Sequence, residues 1–178
     1  RSIHAPIFSA LPLALSINKI LPVALLLLSL AGMDAQETKS ISWLKFSALD
    51  QALARETRPV LLVFYTDWCR YCQKMDREVF TNAALAKEIN QNYYAVRFNA
   101  ESHDTLVFEG ERLYNDQAAE QRNGLHQLAQ LLATRNGQFN PPVILLLDRE
   151  FRVQKRYYHY LSSRELIAIV EDHFKSSP

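Results

Sequence analysis

Cys69 and Cys72 are the two cysteines of the 178-residue chain, and only Arg70 and Tyr71 separate them. A spacing of three residues is close to one helical turn, so on a helix the two sulfurs share a face. Such a pair can trade a disulfide with another molecule: one thiolate attacks a disulfide sulfur, and the second thiol resolves the mixed disulfide. That chemistry needs a thiolate near neutral pH, and the unpaired N–H groups at a helix start favour one by up to about 2 kcal/mol. Cys69, placed where a helix begins, reads as the nucleophile, with Arg70 as an adjacent cation. Cys72, a turn further in and less exposed, reads as the resolving thiol. A static disulfide and half of a metal site are the competing readings of the same pair. A zinc site usually takes four ligands, and the sequence holds no second CxxC and no closely spaced His pair, so no metal is expected.

The residues around the pair supply the helix start. Residues 60–65 form an apolar, β-branched run that reads as a strand buried on both faces, inside a sheet covered by helices. The strand stops at Thr66-Asp67, and the helix carrying the cysteines follows. Asn82 suits the cap of a second helix over 83–90, and 93–98 reads as the next buried strand, the βαβ order of a parallel sheet. Upstream, 40–46 reads as a short first strand, and Ser47 with Asp50 as the cap of a helix over 48–56.

Downstream, residues 100–123 interrupt the rhythm and read as an insertion, with a hairpin over 106–114 turning at Glu109-Gly110. A helix over 125–134 follows, with Leu125, Leu128, Ala129, Leu131 and Leu132 on one stripe and Asn136-Gly137 closing it. Pro141-Pro142 leads into a second central strand over 143–147. A turn at 148–150 joins it to a polar edge hairpin over 151–160, where the cluster from Tyr157 to Tyr160 would pack. Ser162 and Glu165 form a capping box for a last helix over 164–174.

Strand, Asp67-Trp68-Cys69-Arg70-Tyr71-Cys72 and helix together resemble the active site of the thioredoxin superfamily. The run from Lys74 to Asn82 is similar to the secreted branch that includes the C-terminal domain of the DsbD electron carrier. The resemblance covers roughly residues 47–175. It implies an α/β thioredoxin fold, a central mixed β-sheet flanked by helices, with the insertion placed before the helix that precedes the cis-proline strand. Pro142 matches that cis-proline by position; the ordinary alternative is a strand-entry proline. Pro141 before it has no N–H, which leaves only a carbonyl to pair with an incoming peptide. Many thioredoxins carry a buried Asp six residues before the first cysteine, where this chain has Val63, so proton transfer would fall to water or Asp67.

The remaining residues near the pair have two readings each. Trp68 is either an exposed apolar platform for a partner or a core residue. Tyr71 either tunes access and bonds a substrate or is solvated surface. Asp67 is either a proton acceptor near Cys72 or a turn-forming residue. His103, His126, His159 and His173 are scattered, and none is assigned to catalysis.

The totals bound the rest. An apolar run over 20–30, followed by small residues to Ala35, has the pattern of a secretory signal peptide cut after Ala35, although Met33 is a poor fit three residues before the cut. Residues 1–35 are therefore expected to lie outside the fold, and 36–178 to form a single domain. Removing 35 of 178 residues leaves 143, enough for one core, and takes away Arg1, Lys19 and Asp34, so the 20 basic and 19 acidic residues fall to 18 of each. A balanced charge indicates no nucleic-acid partner, and membrane attachment is expected only if the apolar run is retained. Export with a single CxxC argues for redox chemistry over a stabilising framework.

The expectation is a periplasmic or secreted protein-disulfide oxidoreductase. Its substrates would be protein disulfides or dithiols, with a separate electron donor or acceptor and no cofactor beyond the Cys69–Cys72 disulfide. Resemblance to the electron-carrier branch implies the reductase direction, while Arg70, by favouring the reduced thiolate, pulls towards an oxidant. The rival class is a thioredoxin-fold binding module, or a copper-handling protein, that uses the CxxC as a switch or metal clip.

Overall fold

The computed structural model of the protein describes residues 40–108 and 110–177. The expected signal peptide with its cut after Ala35, the first residues of the expected domain and Glu109 of the hairpin turn lie outside those residues.

β2 (Val60–Tyr65) is the centre of a five-stranded mixed sheet. On one side it pairs in parallel with β3 (Tyr94–Asn99) along its whole length, and β3 pairs in parallel with the edge strand β1 (Trp43–Leu44). On the other side it pairs antiparallel with β6 (Val143–Leu147), which pairs with the opposite edge, β7 (Val153–Tyr157). A separate two-stranded ribbon, β4 (Leu106–Phe108) with β5 (Glu111–Leu113), lies within the expected insertion.

Because side chains alternate along a strand, an unbroken apolar run has to bury both faces, and it does. Leu61, Val63, Ile144 and Leu146 face one core, with Met75 from α2 (Arg70–Glu78), Val79 just after it, Leu85 and Ile89 from α3 (Ala83–Asn92) and Leu166 and Val170 from α5 (Ser163–Ser176). Val60, Leu62, Phe64, Val143 and Leu145 face the other, with Leu49 from α1 (Leu49–Arg55), Leu128 and Ala129 from α4 (Gln127–Ala133), and Leu106 and Leu113 from the ribbon. This is the expected α/β architecture, a mixed sheet between two helical layers.

Local departures have local causes. The first strand shrinks to two residues because only Ala95 and Val96 pair with it; Phe46 then turns inward, its ring 6.1 Å from Phe98 and 5.8 Å from Phe108. That inward turn winds Phe46–Ala48 into a short 3₁₀ segment containing Ser47, so α1 starts after Ala48 with no side-chain cap. Tyr93 closes α3 instead of opening β3, because its buried hydroxyl donates to the Val170 carbonyl of α5 at 2.7 Å. α4 runs only seven residues, too few to bury the whole expected stripe, and Leu131 stands 64% exposed. Asn136-Gly137 does not close α4. With φ of 53° and 73° these two residues form the tight turn of a small hairpin pairing Arg135 with Gln138, the positive-φ pattern such turns require. The capping box on α5 is complete, with Ser162 N–H donating to Glu165 Oε2 at 2.8 Å and Glu165 N–H to Ser162 Oγ at 3.4 Å.

Asp148, buried at the β6–β7 turn, is the main polar anchor away from the cysteines. Burial would raise its carboxyl, but the Arg152 backbone N–H and guanidinium and the Gln154 amide, bonded at 2.6–2.9 Å, hold it below the usual carboxylate range. Its carboxylate also accepts the Glu150 N–H, which fixes the turn that carries Phe151 at a φ of 62°.

Two buried histidines set a pH dependence. Burial lowers His126 and His173 below the usual 6.5, helped at His173 by the charge of Lys155. His126 is also bonded as a neutral ring: its Nδ1 accepts the Leu128 N–H at 3.0 Å, so the proton sits on Nε2, which donates to the Asp104 carbonyl at 3.0 Å. Below about pH 6.5 the unfolded chain takes up protons that the folded chain refuses, so stability should fall as pH drops from 7 through the two lowered values. The urea midpoint should be lower at pH 5.5 than at pH 7.5, with a flatter dependence in His173→Gln; identical midpoints in the wild type would count against this.

Candidate active site

β2 delivers the chain to the site. After Tyr65 the buried Thr66 accepts the Cys69 N–H on its carbonyl at 3.2 Å, a tight turn that leaves Asp67 and Trp68 outside. Cys69 is the N-cap of α2: its backbone is extended, and its Sγ accepts the Cys72 N–H at 3.0 Å. Gln73 locks the same turn, its Nε2 donating to the Asp67 carbonyl at 2.8 Å. Cys69 and Cys72 are joined by a disulfide with their Cα atoms 5.2 Å apart.

Exposure does not rank the two cysteines as expected, since each is 4% exposed. What separates them is the helix end. Sγ of Cys69 sits where an unpaired N–H meets it, the position that favours a thiolate after reduction. α2 itself is seated by fully buried Met75 and by Asp76, which is 3.0 Å from the Arg97 guanidinium of β3. Among the described residues no group of three or more His, Cys, Asp or Glu side chains is gathered that could hold a metal ion.

Two recesses flank the disulfide-bearing loop. Because Val143 is paired with Phe64, Pro142 lies beside the end of β2, next to the loop that leads to Cys69. The Pro141–Pro142 peptide bond is cis. Tyr71, 62% exposed, lines a groove of about 460 Å³ with Asn140, Pro141, Pro142, Tyr158, His159 and Tyr160. Its ring is 6.3 Å from that of Tyr160, and Lys74 Nζ stands 4.9 Å from the centre of the Tyr160 ring. β7 ends at Tyr157, so residues 158–160 line this groove and do not pack along the edge strand as the sequence suggested.

On the other side Trp68 is 55% exposed, and its indole N–H donates to Glu101 Oε1 at 2.8 Å. Trp68 is therefore surface, tied down at its polar end. The sequence places Tyr158 only in the expected edge-strand cluster and gives no signal for Glu101, since no spacing connects it to Trp68, which lies 33 residues away. Asp67 is exposed and serves the turn through its carbonyl, and Arg70 is exposed.

The expected insertion begins and ends at this site. Ala100 N–H donates to the Tyr65 carbonyl at the end of β2, and His126 N–H donates to the Ala100 carbonyl, both at 2.8 Å. His126 then caps α4 and holds Asp104, so one ring joins helix, insertion and sheet end. Inside the segment Asn115 Nδ2 donates to the Gly124 carbonyl at 2.7 Å, and Leu125 N–H to Gln117 Oε1 at 3.0 Å. A Cβ on Gly124 would lie 2.7 Å from the Gln117 carbonyl carbon, backbone that cannot yield cheaply. Gly124→Ala should cost about 1–3 kcal/mol by overpacking, read as a lower urea midpoint; an unchanged midpoint would show the segment to be loosely held.

Residues 46–174 match the family described as a thioredoxin-like domain. The thiol:disulfide interchange protein DsbD of Ralstonia nicotianae is 40% identical over 57 residues, which are 30% of this chain and 9% of that protein. The match thus spans less than a tenth of that relative's length. A thioredoxin-fold protein from Helicobacter pylori superposes with a TM-score of 0.55 at 20% identity, over 80% of this chain and 81% of that one. A thioredoxin from Thermus thermophilus superposes with a TM-score of 0.52 at 17% identity, over 75% and 86%. At such identities the likeness speaks for the fold.

Proposed function

The chain belongs to the thioredoxin-like domain family, and on that footing we propose that it is a thiol–disulfide oxidoreductase exchanging disulfides with protein substrates through Cys69 and Cys72. The observation that carries this reading is the pair itself, two sulfurs at the start of α2 with the Cys72 N–H on Cys69 Sγ. The name of the Ralstonia relative, a thiol:disulfide interchange protein, agrees with it.

In the reductase direction the reduced protein presents Cys69 as a thiolate, stabilised by the Cys72 N–H and the helix end. It attacks one sulfur of the substrate disulfide; a Cys69–substrate disulfide forms, and the other substrate sulfur leaves and takes a proton. Cys72 loses its proton and attacks Cys69 Sγ, which re-forms the Cys69–Cys72 bond and releases the second substrate thiol. Two electrons and two protons reach the substrate, and an external dithiol restores the protein. Val63, buried where a carboxylate would otherwise assist, leaves water or Asp67 to take the Cys72 proton.

Trp68, Tyr71 and Pro142 form the substrate surface, Arg70 supports the thiolate, and Pro141 offers a peptide only its carbonyl. No cofactor beyond the disulfide is required. The reading places the protein in the periplasm or outside the cell, on the strength of the apolar run and small residues before Gln36.

Insulin reduction by dithiothreitol tests the proposal. The protein should accelerate precipitation of the insulin B chain over dithiothreitol alone; no acceleration at micromolar protein would overturn it.

A further inference from the structure

The recess on the Trp68 side is built by the expected insertion. About 330 Å³ in volume, it is lined by Trp68, Glu101, Gln117, Gln121, Asn123 and Phe139, among others, and Glu101 is the one charged residue among the described residues that line it. Amides from three side chains surround a single carboxylate, with an indole on the wall next to Cys69.

That carboxylate is held in place before anything binds. Glu101 N–H donates to Asn99 Oδ1 at 2.9 Å, its carbonyl accepts Asn115 Nδ2 at 3.4 Å, and its Oε1 accepts the Trp68 indole N–H at 2.8 Å. No second hydrogen bond to its carboxylate is made by the described residues, which leaves Oε2 open to an incoming donor. The groove on the Tyr71 side is lined by no carboxylate among the described residues; Lys74 Nζ stands over its Tyr160 ring and is 3.8 Å from Glu78 Oε2. A carboxylate therefore lines the recess on the Trp68 side and not the groove on the Tyr71 side.

From this geometry we infer that the recess is a specificity subsite that takes a lysine or arginine side chain located one or two residues from the cysteine under attack in the substrate protein. Deepening the exchange reading above, and resting on it, this assigns a substrate class: disulfides flanked by a basic residue. The reach fits. Trp68 adjoins Cys69, and a residue one or two positions from the substrate cysteine has its Cα about 4–7 Å from that of the cysteine. The alkyl stem of the basic residue lies along the Trp68 and Phe139 rings while its head meets Glu101, and the Gln and Asn amides accept its remaining N–H groups. Fixing the carboxylate in advance lowers the ordering cost of the contact.

The test uses three synthetic peptides, each closed by one intramolecular disulfide and identical except for arginine, alanine or glutamate beside the same cysteine. The wild-type protein should reduce the arginine peptide with a kcat/KM about twofold to fivefold above the alanine peptide, and the glutamate peptide more slowly still. The arginine-to-alanine ratio should shrink as salt rises from 50 to 500 mM. In Glu101→Gln, whose amide oxygen can still accept the indole N–H, the ratio should collapse towards one. Equal rates for the three peptides, or a preference that survives both salt and Glu101→Gln, would overturn the inference and leave the exchange reading standing. Failure to reduce any of the three would overturn both.

Discussion

Cys69→Ser should bring insulin reduction down to the dithiothreitol background, a loss of at least about a thousandfold, because a hydroxyl stays protonated at neutral pH and cannot form the mixed disulfide. Cys72→Ser should fail differently. Its Cys69 still accepts the N–H of residue 72 at the helix start and still attacks, but nothing resolves the product, so a protein–substrate disulfide should accumulate and vanish on reduction in a gel. The contrast separates the roles in a way that exposure does not, since both sulfurs are equally covered. Turnover retained by Cys69→Ser, or trapping by that variant and not by Cys72→Ser, would reverse or remove the assignment. Each comparison is made against reduced wild-type protein, so that loss of the cross-link is common to all three.

Phe64→Ala is the second large effect, expected on stability. Phe64 is fully buried on β2, its ring 5.9 Å from Phe98 in an edge-to-face contact, and its backbone pairs with both Phe98 and Val143. Removing the ring leaves a cavity on the sheet face, under a strand whose backbone is hydrogen-bonded on both sides and cannot move into it, so it collapses poorly; the cost should be about 3–5 kcal/mol. Against a total of roughly 5–15 kcal/mol that is a large share, and the urea midpoint should fall accordingly. A change below about 1 kcal/mol would mean that α4 and the ribbon close over the gap. Because Phe64 lies directly below the Thr66–Cys69 turn and beside the strand entered from Pro142, residual activity should fall at temperatures where the fold itself survives.

The elements that position the cysteines were legible because their signals are local. An apolar run such as 60–65 can be buried only on both faces, Asn82 caps the helix that follows it, and Ser162 with Glu165 closes the capping box as the spacing implies. Where local signals failed, distant packing had overruled them. Ser47 lost its capping role to the inward pull of Phe46 on Phe98, 52 residues away in the chain. Asn136-Gly137 has the local pattern of a helix end, yet α4 stops three residues before it and the pair turns a hairpin instead. The histidine at 126 gave no chemical motif at all, because its partners are a backbone N–H two residues on and a carbonyl 22 residues back.

By itself, then, the order of residues determined the pair of thiols, their place at a helix start and the buried strand in front of them, since each depends on neighbours within a few positions. Only the tertiary structure decided what stands on either side of that pair. Ala100 is pinned to the last carbonyl of β2 and His126 to the carbonyl of Ala100, which closes the segment between them on the strand end and brings Glu101 to Trp68, while the chain leaving β7 brings Tyr158 and Tyr160 to Tyr71. Periodicity and spacing describe a face of one element; which faces meet is settled by burial of the whole sheet, and no stretch of sequence carries that alone.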